Sequence, residues 1–165
     1  MIMKTTTIES IVGISPEFLS RGDIKKAIRN KINEIFLNKC YYEYGFIVKI
    51  LYKSIKILEN ETSLTDSNIN FKVSFKVYVV KPEKSDKIKC KVNMIFNHGV
   101  FAGIYNLKIL IPKNELKEYE FMKIDDSSVF KSKKSKISVD DEVMCEITAI
   151  RYDKKQYSCI GKLIQ

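Results

Sequence analysis

The alternation of side chains over residues 71–79 most constrains the fold of this chain. Apolar residues occupy every second position from Phe71 to Val79, and Lys72, Ser74, Lys76 and Tyr78 stand between them. A period of two residues places the apolar set on one face of a β-strand. Such a face must be covered by a second layer, so the sequence should also contain an element that packs on it.

A helix that can cover this strand is predicted over residues 20–39. Apolar residues recur there at steps of three and four, which is the pattern of an amphipathic surface helix. Either Ser20 or Asp23 is expected to cap its start. Residues 5–12 and 46–52 are predicted as strands, and residues 54–58 either continue the second strand or form a hairpin with it. The polar, aperiodic stretch 59–70 is predicted as a loop. The apolar positions of the helix are Ile24, Ala27, Ile28, Ile32, Ile35 and Phe36.

After Lys81-Pro82 the sequence predicts short strands and no convincing helix, so a domain boundary is predicted between residues 81 and 82. Five such strands are the number found in an OB-fold barrel. The polar stretch 125–138 is predicted as a loop. In the first of these strands one face is predicted to carry Ile88, Cys90, Val92, Met94 and Phe96.

The charge balance favours an anionic partner. Lys and Arg together number 29 against 20 Asp and Glu, which gives a formal net charge of +9. Lysines that neutralise phosphates release condensed counterions, so a basic excess favours nucleic acid. Lys87, Lys89 and Lys91 alternate along one predicted strand. They form either a track for phosphates or simply the solvated outer face of a barrel.

A possible base-stacking platform follows the turn at His98-Gly99. Val100 and Ala102 alternate with Phe101, so Phe101 points outward if the smaller pair faces the core. An outward aromatic ring on a basic barrel can stack on a base, and His98 could stack or donate a hydrogen bond beside it. The alternative is a phenylalanine that only covers one end of the barrel.

The sequence provides little for catalysis. It has a single histidine, no glycine-rich phosphate loop, and four cysteines that form no C-x-x-C pair. We therefore expect no enzyme activity, no cofactor and no metal. Three of the four cysteines lie inside apolar patterns and are expected to be reduced core thiols of an intracellular protein, with disulfides as the alternative. No apolar run approaches the roughly 20 residues that a membrane helix needs, so no membrane association is expected.

Several short motifs, spread in order along nearly the whole chain, resemble the motifs of one known family. The family is the larger stalk subunit of multisubunit RNA polymerases, which comprises the seventh subunit of eukaryotic polymerase II and its counterpart in the archaeal enzyme. Residues 40–47 resemble its C-x-x-x-[FY]-G-[FY]-I segment, and residues 71–82 resemble its F-x-V-x-Y-x-A-x-V-F-x-P strand. Further matches are at residues 15–18, 98–101, 107–111 and 160–161.

The resemblance implies an α+β protein of two domains. Residues 1–81 would form an α/β domain, related to a truncated ribonucleoprotein fold, that docks on the polymerase core. Residues 82–165 would form a five-stranded, S1-type OB-fold barrel that contacts nascent single-stranded RNA. A smaller stalk subunit would complete a heterodimer. The predicted RNA-binding residues are Lys87, Lys89, Lys91, His98, Phe101 and Lys108, whereas a third S1 contact position falls on Pro112.

The family's core-docking loop falls in the stretch 59–70, which here contains no glycine. The lysine-rich, AT-biased composition favours a viral or parasite member, located in the nucleus, or in the cytoplasm or virion if it is viral. The alternative function is a free-standing OB-fold RNA-binding factor in translation or RNA processing. The predicted docking residues are Glu59, Asn60, Glu61, Thr62, Ser63, Leu64, Thr65 and Asp66.

Overall fold

The structure, a computed structural model, describes residues 3–20, 22–62 and 65–164. It divides into two compact units, one of Met3–Cys40 and Ile47–Val80, the other of residues 41–46 and 81–164. The fold is mostly β, with few helices. No helix in this part of the chain is long and apolar enough to cross a membrane. Residue 81 as a functional domain boundary stays a prediction.

The N-terminal unit is built on a four-stranded sheet in the order β1-β4-β3-β2. β1 and β4 are antiparallel neighbours over their whole lengths, from the pair Met3 and Val80 to the pair Ile14 and Ile69. The predicted first strand is therefore confirmed and is longer than expected. The elements of this unit are β1 (Met3–Ile14), α1 (Pro16–Ser20), α2 (Ile24–Phe36), β2 (Cys40–Tyr41), β3 (Gly45–Thr62) and β4 (Ile69–Val80).

The core of this unit lies between α2 and one face of the sheet. Val73, Phe75 and Val77 of β4 are all 0% exposed, which confirms the predicted alternation. Ile32 and Phe36 of α2 are also buried, and the rings of Phe36 and Phe75 are 5.3 Å apart. Burying one such side chain stabilises the fold by about 1.5–3 kcal/mol.

The predicted helix is confirmed but has tighter limits. It begins at Ile24 and ends at Phe36, because Leu37 is already extended and Asn38 has a φ of +60°. Asp23 occupies the N-cap position, yet its side chain accepts no capping hydrogen bond. The side chain of Ser20, the other predicted cap, lies outside the described part of the chain. Packing of the apolar stripe therefore decides where this helix forms.

The predicted loop over residues 59–70 is wrong at both ends. β3 continues to Thr62, and β4 already begins at Ile69, so the two strands form a long hairpin. Every described residue from Lys56 to Thr62 is exposed. Because neither face of the strand is buried there, no apolar alternation marks it in the sequence.

The C-terminal unit contains a closed barrel in the strand order β11-β12-β7-β6-β5. All neighbouring pairs are antiparallel except β12 and β7, which pair in parallel. This barrel fits the predicted OB fold. Its strands are β5 (Lys87–Phe96), β6 (Gly99–Ile104), β7 (Leu107–Pro112), β11 (Glu142–Asp153) and β12 (Gln156–Ile164).

The predicted loop over residues 125–138 is also wrong, because this stretch forms most of a second, smaller sheet. Asp125 and Asp126 both have positive φ values, +50° and +65°, which is the geometry of a tight two-residue hairpin turn. Phe130 is 0% exposed and anchors the sheet from within. A short 3₁₀ helix, Lys113–Glu115, precedes this second sheet in the chain. The strands are β8 (Glu120–Ile124), β9 (Ser127–Lys131) and β10 (Lys136–Ile137), in the order β10-β9-β8.

Candidate nucleic-acid interface

A β-bulge in β5 decides what the outer face of the barrel carries. The register between β5 and β6 shifts between Val92 and Met94. One extra residue reverses the in–out alternation beyond that point. The predicted inward positions of Met94 and Phe96 are therefore wrong. Met94 is 49% exposed, Phe96 is half-buried, and Ile95 fills the core instead.

The bulge completes a row of three rings on the barrel surface. Phe96 stacks on Phe101 with ring centroids 5.2 Å apart and an angle of 15° between the planes. The exposed imidazole of His98 and the Phe96 ring form a T-shaped pair, with centroids 6.0 Å apart. Val100 and Ala102 are each 1% exposed. This confirms that Phe101 points away from the core.

The strand register places an apolar row beside the rings. Phe101 is paired with Met94 of β5 on one side and with Leu110 of β7 on the other, and Leu110 is paired with Ile160 of β12. Ile160 is 43% exposed. Phe101, Leu110 and Ile160 line a groove of about 480 Å³, whose basic side chains are Lys108 and Arg151.

A cationic row lies next to this apolar row. Gly103 pairs with Lys91 on β5 and with Lys108 on β7, so the two lysines flank a residue without a side chain. Two strand spacings separate them, which is about 10 Å. Lys108 makes no ion pair with any described residue. The structure therefore brings Lys108, Phe101 and His98 to one face of the barrel, with Lys91 at its edge.

The lysines of β5 are less available than their sequence spacing predicted. Lys89 Nζ is 2.7 Å from a carboxylate oxygen of Glu142, and Lys91 Nζ is 3.5 Å from one of Asp140. The hydrogen bond from Lys89 lowers the pKa of Glu142, and the same bond raises the pKa of Lys89. Lys87 has no ion pair with a described residue. Only part of this lysine strand is therefore free for phosphates.

Gly99 holds the turn that presents the rings. A Cβ at this position would collide with the backbone carbonyl oxygen of Ile111 on the neighbouring strand. The backbone amide of Lys113 donates to the His98 carbonyl oxygen at 2.8 Å. Only glycine permits this close approach of β6 and β7 without a shift of the backbone. His98 and Phe101 are thereby fixed on either side of Gly99.

The predicted docking residues lie at the free end of the β3–β4 hairpin. Glu59, Asn60, Glu61 and Thr62 are the last residues of β3, and all are exposed. Ser63 and Leu64 lie outside the described residues. Thr65 and Asp66 are exposed, and Asp66 accepts a hydrogen bond from the backbone amide of Asn68 at 3.2 Å.

The cysteines are packing residues rather than ligands of this site. Cys40, Cys90, Cys145 and Cys159 are all buried, which confirms the core position predicted for three of them and extends it to the fourth. The sulfur atoms of Cys90 and Cys145 are 3.3 Å apart inside the barrel. Burial raises the pKa of Cys159 to about 12, so its thiol stays protonated at neutral pH.

Sequence reasoning missed Phe96, Met94, Leu110 and Ile160 as members of this face. Met94, Ile95 and Phe96 are three successive apolar residues, which fit either register of a strand equally well. Their order contained no signal for the bulge. Leu110 and Ile160 alternate with buried neighbours, and their outward position could have been found from the predicted barrel alone.

The chain is a mostly-β protein that carries an OB-type barrel with an aromatic and basic outer face. No protein-family model matches it. It is 31% identical to DNA-directed RNA polymerase II subunit rpb7 from Dictyostelium discoideum over 130 residues, which cover 75% of this chain and 73% of the relative. The chain belongs to the family of the larger stalk subunit of RNA polymerases, whose members are accessory subunits in transcription. The resemblance found in the sequence motifs is thereby confirmed.

Proposed function

We propose that this chain serves a DNA-directed RNA polymerase as its larger stalk subunit, docking on the core and contacting nascent RNA. In this proposal the N-terminal unit is a truncated ribonucleoprotein-type domain that docks through the β3–β4 hairpin. The barrel binds single-stranded RNA, and the polymerase core supplies the chemistry. A relative from polymerase II favours the nucleus as its location. A virus-encoded member would instead act in the cytoplasm or the virion.

The observation that carries the RNA proposal is the pair of adjacent rows on the barrel face. Phe96 and Phe101 offer stacked rings, and Lys108 offers a free ammonium group one row away. A single strand that crosses this face can stack its bases on the rings while its phosphates meet the lysines. Such contacts are tolerant of sequence, because every base has a π-face. Weak binding with little sequence preference is therefore the expected behaviour.

A smaller stalk subunit is proposed as a partner because the N-terminal unit exposes apolar side chains. Ile11 is 61% exposed on β1, and Leu58 is 45% exposed on β3. Ile11 lies beside Glu59 and Glu61 around a small cavity of about 60 Å³. Exposed apolar surface with a polar rim is typical of a subunit interface.

We predict that the hairpin end is needed for polymerase association. Glu59→Lys with Glu61→Lys reverses two exposed charges there, and like-charge contacts in an interface are costly. Recovery of the large polymerase subunits, measured by quantitative mass spectrometry after affinity purification, should fall by at least about fivefold. The matched control is Glu115→Lys with Glu118→Lys, which reverses two exposed charges of the C-terminal unit and should leave recovery unchanged.

Two results of this experiment would contradict the proposal. If the parent chain recovers no large polymerase subunits, it is not a stalk subunit, and a free-standing RNA-binding factor in translation or RNA processing becomes the better explanation. If both double variants reduce recovery equally, the hairpin end is not the docking element.

We also predict that the carboxylates beside the β5 lysines limit RNA binding. In the variant Glu142→Gln with Asp140→Asn, Lys89 and Lys91 lose their ion-pair partners. RNA affinity should rise, and the slope of log affinity against log salt should steepen by about 1–2, because more counterions are released. Fluorescence anisotropy over a salt series measures both. An unchanged slope would show that RNA does not reach these lysines, and Lys108 would then supply the phosphate contact.

A further inference from the structure

A basic groove in the N-terminal unit lies between α2 and the outer edge of β3. Its volume is about 1000 Å³, and its walls come from the first half of α2 and the middle of β3. Its lining residues are different from those of the hairpin end and of the barrel face described above. The six lining residues that matter here are Lys25, Lys26, Arg29, Lys53, Ile55 and Ile57.

The charge in this groove is entirely positive. Lys25, Lys26, Arg29 and Lys53 are exposed, no acidic residue lines the groove, and none of the four forms an ion pair with a described carboxylate. Elsewhere on the molecule Lys89, Lys91 and Lys162 each have a carboxylate partner. Cations that face one cavity repel each other, so an anionic occupant relieves that repulsion.

Part of the groove is already ordered. The guanidinium carbon of Arg29 lies 3.9 Å from the centre of the Tyr52 ring, and the Tyr52 hydroxyl donates a hydrogen bond of 2.6 Å to Asn33 Oδ1. These contacts hold one cation and one wall in place before anything binds. Less side-chain entropy is then lost on binding, which favours affinity.

The other wall offers an unpaired strand edge. Among the residues that the structure describes, β3 has only β2 as a neighbour on its outer side, and β2 is 2 residues long against the 18 residues of β3. Ile47 of β3 exchanges backbone hydrogen bonds with Asn38 and Lys39, but it lies well before the groove. The stretch from Tyr52 to Ile57 therefore presents free backbone groups beside the cations. Ile57 is 42% exposed there and adds an apolar contact.

We propose that this groove binds an acidic segment of a partner protein in an extended conformation. The segment adds as a strand to the outer edge of β3, its carboxylates meet the four cations, and an aliphatic side chain packs on Ile55 and Ile57. A strand edge favours a peptide over RNA, because nucleic acid has no backbone that continues a β-ladder. The inference does not depend on the RNA role of the barrel.

The test uses the full chain and a fluorescein-labelled peptide that repeats Glu-Leu-Glu-Ser. Anisotropy should show that this peptide binds at least about tenfold more tightly than its Gln-Leu-Gln-Ser counterpart. Lys25→Glu with Lys53→Glu should remove most of that binding. The control is Lys72→Glu with Lys76→Glu, which makes the same change in net charge. These two lysines lie on β4, on the face opposite its buried residues and outside the groove, so the control should change affinity for the peptide by less than about twofold. Circular dichroism checks that each variant is folded.

Three outcomes would overturn the proposal. Equal binding of the acidic and the amide peptide would show that the cations do not select the occupant. An equal loss in both double variants would show that only overall charge matters. Displacement of the peptide by a short single-stranded RNA, which itself requires Lys25 and Lys53, would make the groove a nucleic-acid site. The hairpin charge variant should leave peptide binding unchanged, so failure of this proposal is distinguishable from failure of the docking proposal.

Discussion

Replacing Phe101 by alanine in the full chain is expected to weaken binding of single-stranded RNA by about 1–3 kcal/mol, which is the usual contribution of one stacked base. The ring carries no charge, so the slope of log affinity against log salt should stay nearly constant. Phe96→Ala should weaken binding in the same way, because its ring supports that of Phe101 across 5.2 Å. Anisotropy titrations at several salt concentrations measure both quantities.

Tyr105→Ala is the matched control for this experiment. Tyr105 is an aromatic residue on the same barrel, 56% exposed at the turn between β6 and β7, and it is not a member of the three-ring row. Its removal should leave RNA affinity nearly unchanged. Circular dichroism must show native content in each variant, since Phe101 also contacts apolar neighbours. If folded Phe101→Ala binds RNA as tightly as the parent at every salt concentration, the stacking role is wrong.

Phe75→Ala is expected to lower the free energy of unfolding of the N-terminal unit by about 3–5 kcal/mol. Phe75 is 0% exposed and packs on Phe36 of α2, so the substitution leaves a cavity between the helix and the sheet. Urea unfolding, followed by circular dichroism, measures the change. Polymerase association should fall with it, whereas RNA binding by the barrel should persist if the two units unfold independently.

Leu58→Ala provides the comparison for the core substitution. Leu58 is 45% exposed on the same sheet, so its truncation removes little buried surface and should change stability by less than about 0.5 kcal/mol. In Phe75→Ala the first unfolding transition is expected to be that of the N-terminal unit. If RNA binding is lost at a urea concentration where only this transition has occurred, the predicted division into independent domains is wrong. A loss below about 1 kcal/mol would show that Phe75 is not central to this core.

The sequence predicted those helices and strands that bury one face and expose the other to solvent. The strand around Phe75 and the helix around Ile32 were found because burial imposes periods of two and of about 3.6 residues. The same rule placed Phe101 outside the barrel, since Val100 and Ala102 are small and buried. The turn predicted at His98-Gly99 is formed one residue earlier, by Asn97 and His98, and Gly99 is the first residue of β6.

Two stretches predicted as loops, 59–70 and 125–138, each contain strand residues that the prediction missed, and each prediction failed there for its own physical reason. At Lys56 to Thr62 both faces of the hairpin meet water, so strand pairing leaves no trace in the apolar pattern. At Asp125 and Asp126 two positive φ values form the turn without the glycine that usually signals it. Phe130 then buries its ring against that of Phe121 on β8, with the two ring centroids 5.7 Å apart.

Residue patterns alone established a helix on an alternating sheet, a basic barrel of five strands, an outward Phe101, and the motifs of the polymerase stalk family. Which further side chains join Phe101 depended on the folded barrel. The bulge at Val92–Met94 turned Phe96 outward, and the pairing of β5 with β11 gave Lys89 its partner Glu142. Asp140, just before β11, is the partner of Lys91. Periodicity reports burial along one strand, whereas registers and ion pairs arise between strands that are distant in the chain. Those relations exist only once the barrel has closed.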